Sequence, residues 1–138
     1  MTELTQEMRH FLGERRFGVL ATVGTTGAPR QTVMWYLLLS SEAGDEILFN
    51  TALGRRKPEH LAREPRVSLL VEDGYRYVCV AGTVRTITDR DTTQADIRRL
   101  AARYEGNERA EQQMRSAFSK QDRVSYRFQI TSVTHDGF

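Results

Sequence analysis

Residues 66–81 read Arg66-Val-Ser-Leu-Leu-Val-Glu72, Asp73-Gly74, Tyr75-Arg-Tyr-Val-Cys-Val-Ala81. Both arms are filled with β-branched, aromatic and apolar residues that suit a pleated surface. Asp-Gly between them supplies the positive backbone angles a tight hairpin turn requires. Strands joined by so short a turn pair antiparallel, because a parallel pair needs a crossover of about a dozen residues or more. The second arm runs on through Gly82, read as a bulge position, into a β-branched stretch reaching about Ile87.

The N-terminal flank repeats this pattern. Phe17-Gly-Val-Leu-Ala-Thr-Val23 is expected to be a strand buried on both faces, and Gly24-Thr-Thr-Gly27 turns it into a second strand over residues 30–39. A polar turn, Ser40 to Asp45, leads into a third strand, Glu46-Ile-Leu-Phe-Asn-Thr51. Leu4, Met8, Phe11 and Leu12 form the stripe of a helix over 3–12 that Gly13 stops. Between the third strand and the hairpin, Arg55 to Arg63 reads as a short helix with Pro58 in its first turn, where a missing N–H costs nothing. Beyond the hairpin, Asp91 is expected to cap a helix with Gln94 three residues later; Ile97, Leu100, Ala101 and Tyr104 share a face and Gly106 ends it. A second helical piece, about 108–119, would bury Ala110, Met114, Ala117 and Phe118. In the last strand Val124, Tyr126, Phe128 and Ile130 alternate with Ser125, Arg127, Gln129 and Thr131, giving one buried face. Six or so strands in hairpin succession predict a mainly β fold, a small antiparallel barrel with peripheral helices, in a single domain over 1–138. The absence of a G-x-G-x-x-G after a strand argues against a parallel dinucleotide fold.

The 138 residues carry 20 Lys+Arg against 18 Asp+Glu, and 39% are hydrophobic, the balance of a globular chain that builds its own core. Acids and bases are interspersed, which is not the footprint of a nucleic-acid binder, so any anion site is local. No apolar run approaches membrane-spanning length, and residues 1–16 mix both charge signs unlike a signal peptide; a soluble, cytoplasmic protein is expected. Cys79 has no second thiol to pair with, and His10, His60 and His135 lack metal-ligand spacing, so no metal is expected and the histidines read as surface residues.

The chemistry concentrates at Gly54-Arg55-Arg56-Lys57, where three cations meet a helix start whose free N–H groups already favour an anion. A phosphate or carboxylate site is one reading; a solvated basic turn is the other. Asn50 and Thr51, at the strand end just upstream, offer a carboxamide and a hydroxyl to the same anion or are ordinary strand-end residues. Trp35 and Tyr36, with Tyr75 and Tyr77, either flank a planar ligand or belong to the core. Ser68 and Ser125 lack a nucleophile elbow and Cys79 lies in an apolar strand, so no catalytic side chain is named. A chain this poor in acid–base groups points to a cofactor that carries the chemistry.

The segments FGVLATVGTTGAPRQTVMW and ILFNTALGRRKPEHLAREPRVSLLVEDGYRYVCVAGTV, spanning most of residues 8–88, resemble the split β-barrel flavin and deazaflavin oxidoreductases. That family includes pyridoxamine 5′-phosphate oxidase and relatives that use coenzyme F420. The resemblance implies a homodimer with the cofactor at the interface, its phosphate on Arg55, Arg56 and Lys57 beside Asn50 and Thr51. It places Thr32, Val33, Met34 and Trp35 along the tricyclic ring, with Tyr75 and Tyr77 closing the site. Pyridoxamine 5′-phosphate oxidases resemble one another in a strand-two Arg where this chain has Thr32, and in an Arg-x-His where it has Thr131-Ser-Val-Thr-His135. The likeness therefore favours the F420 branch, FMN being the alternative. The activity implied is hydride transfer from reduced F420 to a small conjugated organic substrate.

Overall fold

The computed structural model describes residues 1–138. Its elements, in chain order, are α1 (Gln6–Gly13), β1 (Gly18–Val23), β2 (Pro29–Met34), β3 (Leu37–Ser41), β4 (Gly44–Ala52), α2 (Arg56–Arg63), β5 (Arg66–Glu72) and β6 (Tyr77–Ile87). They are followed by α3 (Arg90–Glu105), α4 (Asn107–Ser116), a 3-10 turn (Phe118–Lys120), β7 (Arg123–Gln129) and β8 (Ser132–Asp136). Every strand pairing is antiparallel, in the order β2-β1-β5-β6-β7-β4-β3, with β8 added on β6. This is a mainly antiparallel split barrel with peripheral helices, as the hairpin pattern implied.

β6 joins the two halves. Its first part lies between β5 and β8, and from Val84 onward it pairs with β7. The ladder to β5 runs unbroken through Val67 opposite Gly82, so Gly82 is not a bulge. It is the point where the strand changes sheets, and a side chain there would collide with the Gln129 carbonyl. Leu20, Ile47, Phe49, Leu69, Val80, Tyr126 and Phe128 point into the barrel, and α1 closes it with Met8, Phe11 and Leu12.

Several local expectations are corrected. The segment 30–39 is two strands, broken at Trp35 and Tyr36, because Tyr36 turns fully inward. Its hydroxyl donates to the Leu12 carbonyl at 2.7 Å and its N–H to the Tyr104 hydroxyl at 3.1 Å. β1 alternates between buried and half-buried residues, since its outer face is only partly covered. α3 is capped by Asp89, which accepts the Thr92 N–H at 3.0 Å, two residues before the expected Asp91. α4 stops at Ser116, leaving Ala117 and Phe118 half-buried. β7 is buried on both faces, because α3 lies over the polar row Arg123, Ser125 and Arg127. β8, the eighth strand, follows a break at Ile130 and Thr131 and was not foreseen.

Candidate functional site

β4 ends at Ala52, and Gly54 turns the chain with φ +90°, a conformation easy only for glycine. The Leu53 N–H donates to the Asp122 carbonyl at 2.8 Å, tying the turn to the start of β7. Arg55 then occupies the cap position of α2 without making a side-chain cap bond, so the helix opens with N–H groups that no side chain satisfies. Two contiguous cavities of about 370 and 470 Å³ meet at this turn, sharing Thr32, Arg55 and Lys57. The smaller continues past Arg56 to Thr22, Arg30, Gln31 and His60. The larger runs between Val33, Met34 and Trp35 on one side and Ile97, Leu100 and Phe118 on the other, with Asn50, Thr51, Gln121 and Arg123 behind.

No Asp or Glu lines either cavity. None of Arg30, Arg55, Arg56, Lys57 or Arg123 belongs to any ion pair of the chain. Lys57 leans across the groove until its Nζ is 2.7 Å from Met34 Sδ. Burial, and secondarily the neighbouring Arg55, lower its pKa to about 8. The same two causes bring Arg123 down to about 10. Lys57 and Arg123 are withdrawn from water without counter-charge, which is costly to the folded chain and is relieved by an arriving anion, whereas Arg30, Arg55 and Arg56 remain exposed to solvent. Two larger depressions lie beside the β3–β4 turn, but there Arg9 and Asp45 already neutralise each other at 3.0 Å.

The structure thus brings together Thr32, Val33, Met34, Trp35, Asn50, Thr51, Arg55, Arg56 and Lys57. Trp35 lines the groove while one of its faces stacks on Tyr104, the centroids 5.3 Å apart and the planes 5° from parallel. Asn50 has no free carboxamide. Its Nδ2 donates to the Thr93 carbonyl at 3.0 Å and to Ser125 Oγ at 2.9 Å, and its Oδ1 accepts from Arg123 Nε at 2.7 Å. Asn50 therefore holds Arg123 in place while lining the larger cavity. Tyr77 lies away from the groove, opposite Glu72 and Asp136 in the ladders, and Tyr75 is 93% exposed at the hairpin tip; neither lines either cavity.

Arg30, His60 and Arg123 escaped the sequence reading. His60 is not a surface histidine: α2 buries it at the back of the smaller cavity. Arg123 stands on the polar side of an alternating strand, and only the covering α3 turns that side into a lined wall. The available signal was the apolar face of α3, which had to lie on something.

The family model described as pyridoxamine 5′-phosphate oxidase matches residues 4–135. A conserved hypothetical protein from Mycobacterium tuberculosis shares 28% identity at a TM-score of 0.79, over 96% of this chain and 84% of that one. A solved F420 reductase shares 25% identity at a TM-score of 0.74, over 95% of this chain and 98% of that one. A pyridoxine/pyridoxamine 5′-phosphate oxidase of Blochmanniella pennsylvanica is 40% identical over 76 residues, 52% of this chain and only 33% of that protein, so the chain spans about a third of the curated relative's length. With nearly the whole chain matched, and the fold shared along its length, the protein belongs to the pyridoxamine 5′-phosphate oxidase family.

Proposed function

We propose that the protein is an F420-dependent oxidoreductase reducing a small conjugated organic substrate. The observation that carries this is the groove itself: four cations without counter-charge, Arg30, Arg55, Arg56 and Lys57, at one end, and an apolar slot between β2 and α3 at the other. A ligand with an anionic end and a flat, weakly polar body fits that donor set. Arg55, Arg56 and Lys57 would hold the phosphate, and Thr32, Val33, Met34 and Trp35 would lie along the ring system. When bound, the deazaflavin supplies a hydride from its reduced C5 to the acceptor. The chain's own contribution is to orient the two molecules and exclude water from the slot. No carboxylic acid lines the groove, and no side chain is assigned as the proton donor to the product.

FMN would satisfy the basic turn equally. F420 is favoured because the cationic lining does not stop there: Arg30 extends it into the smaller cavity toward His60, room for a longer anionic tail. Likeness to an F420 reductase supports the same choice. In this reading one domain, residues 1–138, works in the cytoplasm as a homodimer, the second copy covering the exposed β2 edge, where Val33 is 69% exposed, and supplying Tyr77 to the groove.

Trp35, the only tryptophan, reports binding directly. Titrating the apo-protein with F420 and separately with FMN should give saturable quenching at low micromolar F420 and little with FMN. Preference for FMN moves the protein to the flavin branch, quenching by neither overturns the reading, and binding without turnover of any electrophile leaves a cofactor carrier.

A further inference from the structure

Arg123 is the one cation of the groove whose guanidinium is already fastened on two sides. Its Nε donates to Asn50 Oδ1 at 2.7 Å, its Nη1 donates to Gln121 Oε1, and its Cζ lies 4.9 Å from the Phe118 ring centre. Asn50 is itself locked by Thr93 and Ser125, and the adjacent Asp122 is turned away to Arg90 at 3.5 Å. What remains is Nη2, which has no hydrogen-bond partner, on a residue only 8% exposed that lines the larger cavity. A planar fork held this way loses little freedom when its last edge is engaged.

The donor count decides what that edge takes. A phosphate has several charged oxygens and is matched by several convergent donors, which the basic turn provides with Arg55, Arg56 and Lys57. Arg123 offers one edge, beside Ile97, Leu100 and Phe118. Such a corner suits a single anionic group carried on an apolar body. We infer that Arg123 is a specificity residue whose free Nη2 edge binds the carboxylate of a small planar acceptor, in a subsite separate from the phosphate turn. This rests on the oxidoreductase reading for calling the ligand a substrate, but the carboxylate site itself is testable without any cofactor.

The test is calorimetric titration of the full-length apo-protein with trans-cinnamate, its neutral amide and inorganic phosphate. Wild type should bind cinnamate well above the amide. Arg123→Gln should weaken cinnamate by about 10- to 100-fold, as expected for loss of a charge-assisted hydrogen bond, and leave phosphate within about twofold. Lys57→Ala should do the reverse. Arg123→Lys keeps the charge but not the two-sided fastening, and should also lose cinnamate; it carries the test if the Gln variant does not fold. The inference is overturned if cinnamate and its amide bind wild type alike, if neither binds, or if Arg123→Gln leaves cinnamate unchanged. It is equally overturned if Arg123→Gln weakens phosphate as much as Lys57→Ala does, which would make Arg123 part of the phosphate site. A protein that binds cinnamate through Arg123 but ignores F420 and FMN would refute the oxidoreductase reading and leave this one standing.

Discussion

The tip of the β5–β6 hairpin and the groove beside α2 both use arginine, and they use it in opposite ways. At the hairpin, Arg76 Nε bonds Asp73 at 3.0 Å, its Nη1 reaches Glu7 at 3.9 Å, and its guanidinium lies over the rings of Phe11 and Phe138 at 4.9 and 5.0 Å. Asp73 in turn accepts the N–H groups of Tyr75 and Arg76, each at 3.0 Å. Arg76 is answered by Asp73 and Glu7, and the product is a clasp holding the hairpin and Phe138 against α1. In the groove, Arg55, Arg56 and Lys57 face no acid although the chain has 18 of them. On the function proposed above, the first set serves the fold and the second is kept for a ligand.

The contrast breaks most sharply if the groove is given what it lacks. Thr32 is exposed on β2 and borders both cavities. Thr32→Glu should lower F420 affinity by about 100-fold or more, because a fixed carboxylate competes for the cations and repels the phosphate. The same variant should melt higher without ligand, by about 1 kcal/mol of stability, as formerly unpaired charges gain a partner. Weakened binding with no gain in melting temperature would mean that the cations are not strained by their isolation.

A smaller effect comes with pH. Lys57 titrates near 8 in the folded chain against 10.5 when unfolded, so its charged form is disfavoured by folding. Between those values the unfolded state binds the extra proton, so unliganded stability rises as pH climbs from about 8 toward 10.5. Anion affinity falls over the same window, by up to about tenfold per pH unit, as the free protein loses the Lys57 charge. The hairpin behaves oppositely. Hydrogen bonds from the Arg76 backbone and side chain hold Asp73 at about 2, below its ordinary 3.8, so its contribution is intact above that ordinary value and is lost only as pH falls through about 2. Binding of F420 that stays constant from pH 7 to 10 would remove Lys57 from the site.

Much of this contrast was legible in the sequence. Asp73-Gly74 and the flanking strand patterns fix the antiparallel class, and Gly54-Arg55-Arg56-Lys57 marks the basic turn where the two cavities meet, because both signals are local. What stayed hidden depends on what covers what. The polar row of β7 reads as a solvent face until α3 is laid over it, and Arg123 becomes a wall of the groove only then. Asn50 looks available at a strand end, yet the same covering helix engages its carboxamide through the Thr93 carbonyl. Trp35 and Tyr36 continue a strand by propensity, and it is the burial of Tyr36 against Leu12 and Tyr104 that splits β2 from β3. Tyr77, placed at the site by family resemblance, lies on β6, separated from β2 by β1 and β5, and lines neither cavity.

The central claim, that the unpaired cations are the anchor of an anionic cofactor, is tested most directly by titrating F420 into wild type, Lys57→Ala and Arg76→Ala in parallel, following Trp35 fluorescence. Loss of a charge-assisted phosphate contact, about 2–3 kcal/mol, should weaken binding to Lys57→Ala by about 30- to 150-fold. Arg76→Ala should bind within about twofold of wild type once allowance is made for its lower melting temperature. Unchanged affinity in Lys57→Ala, or equal losses in both variants, would contradict the account.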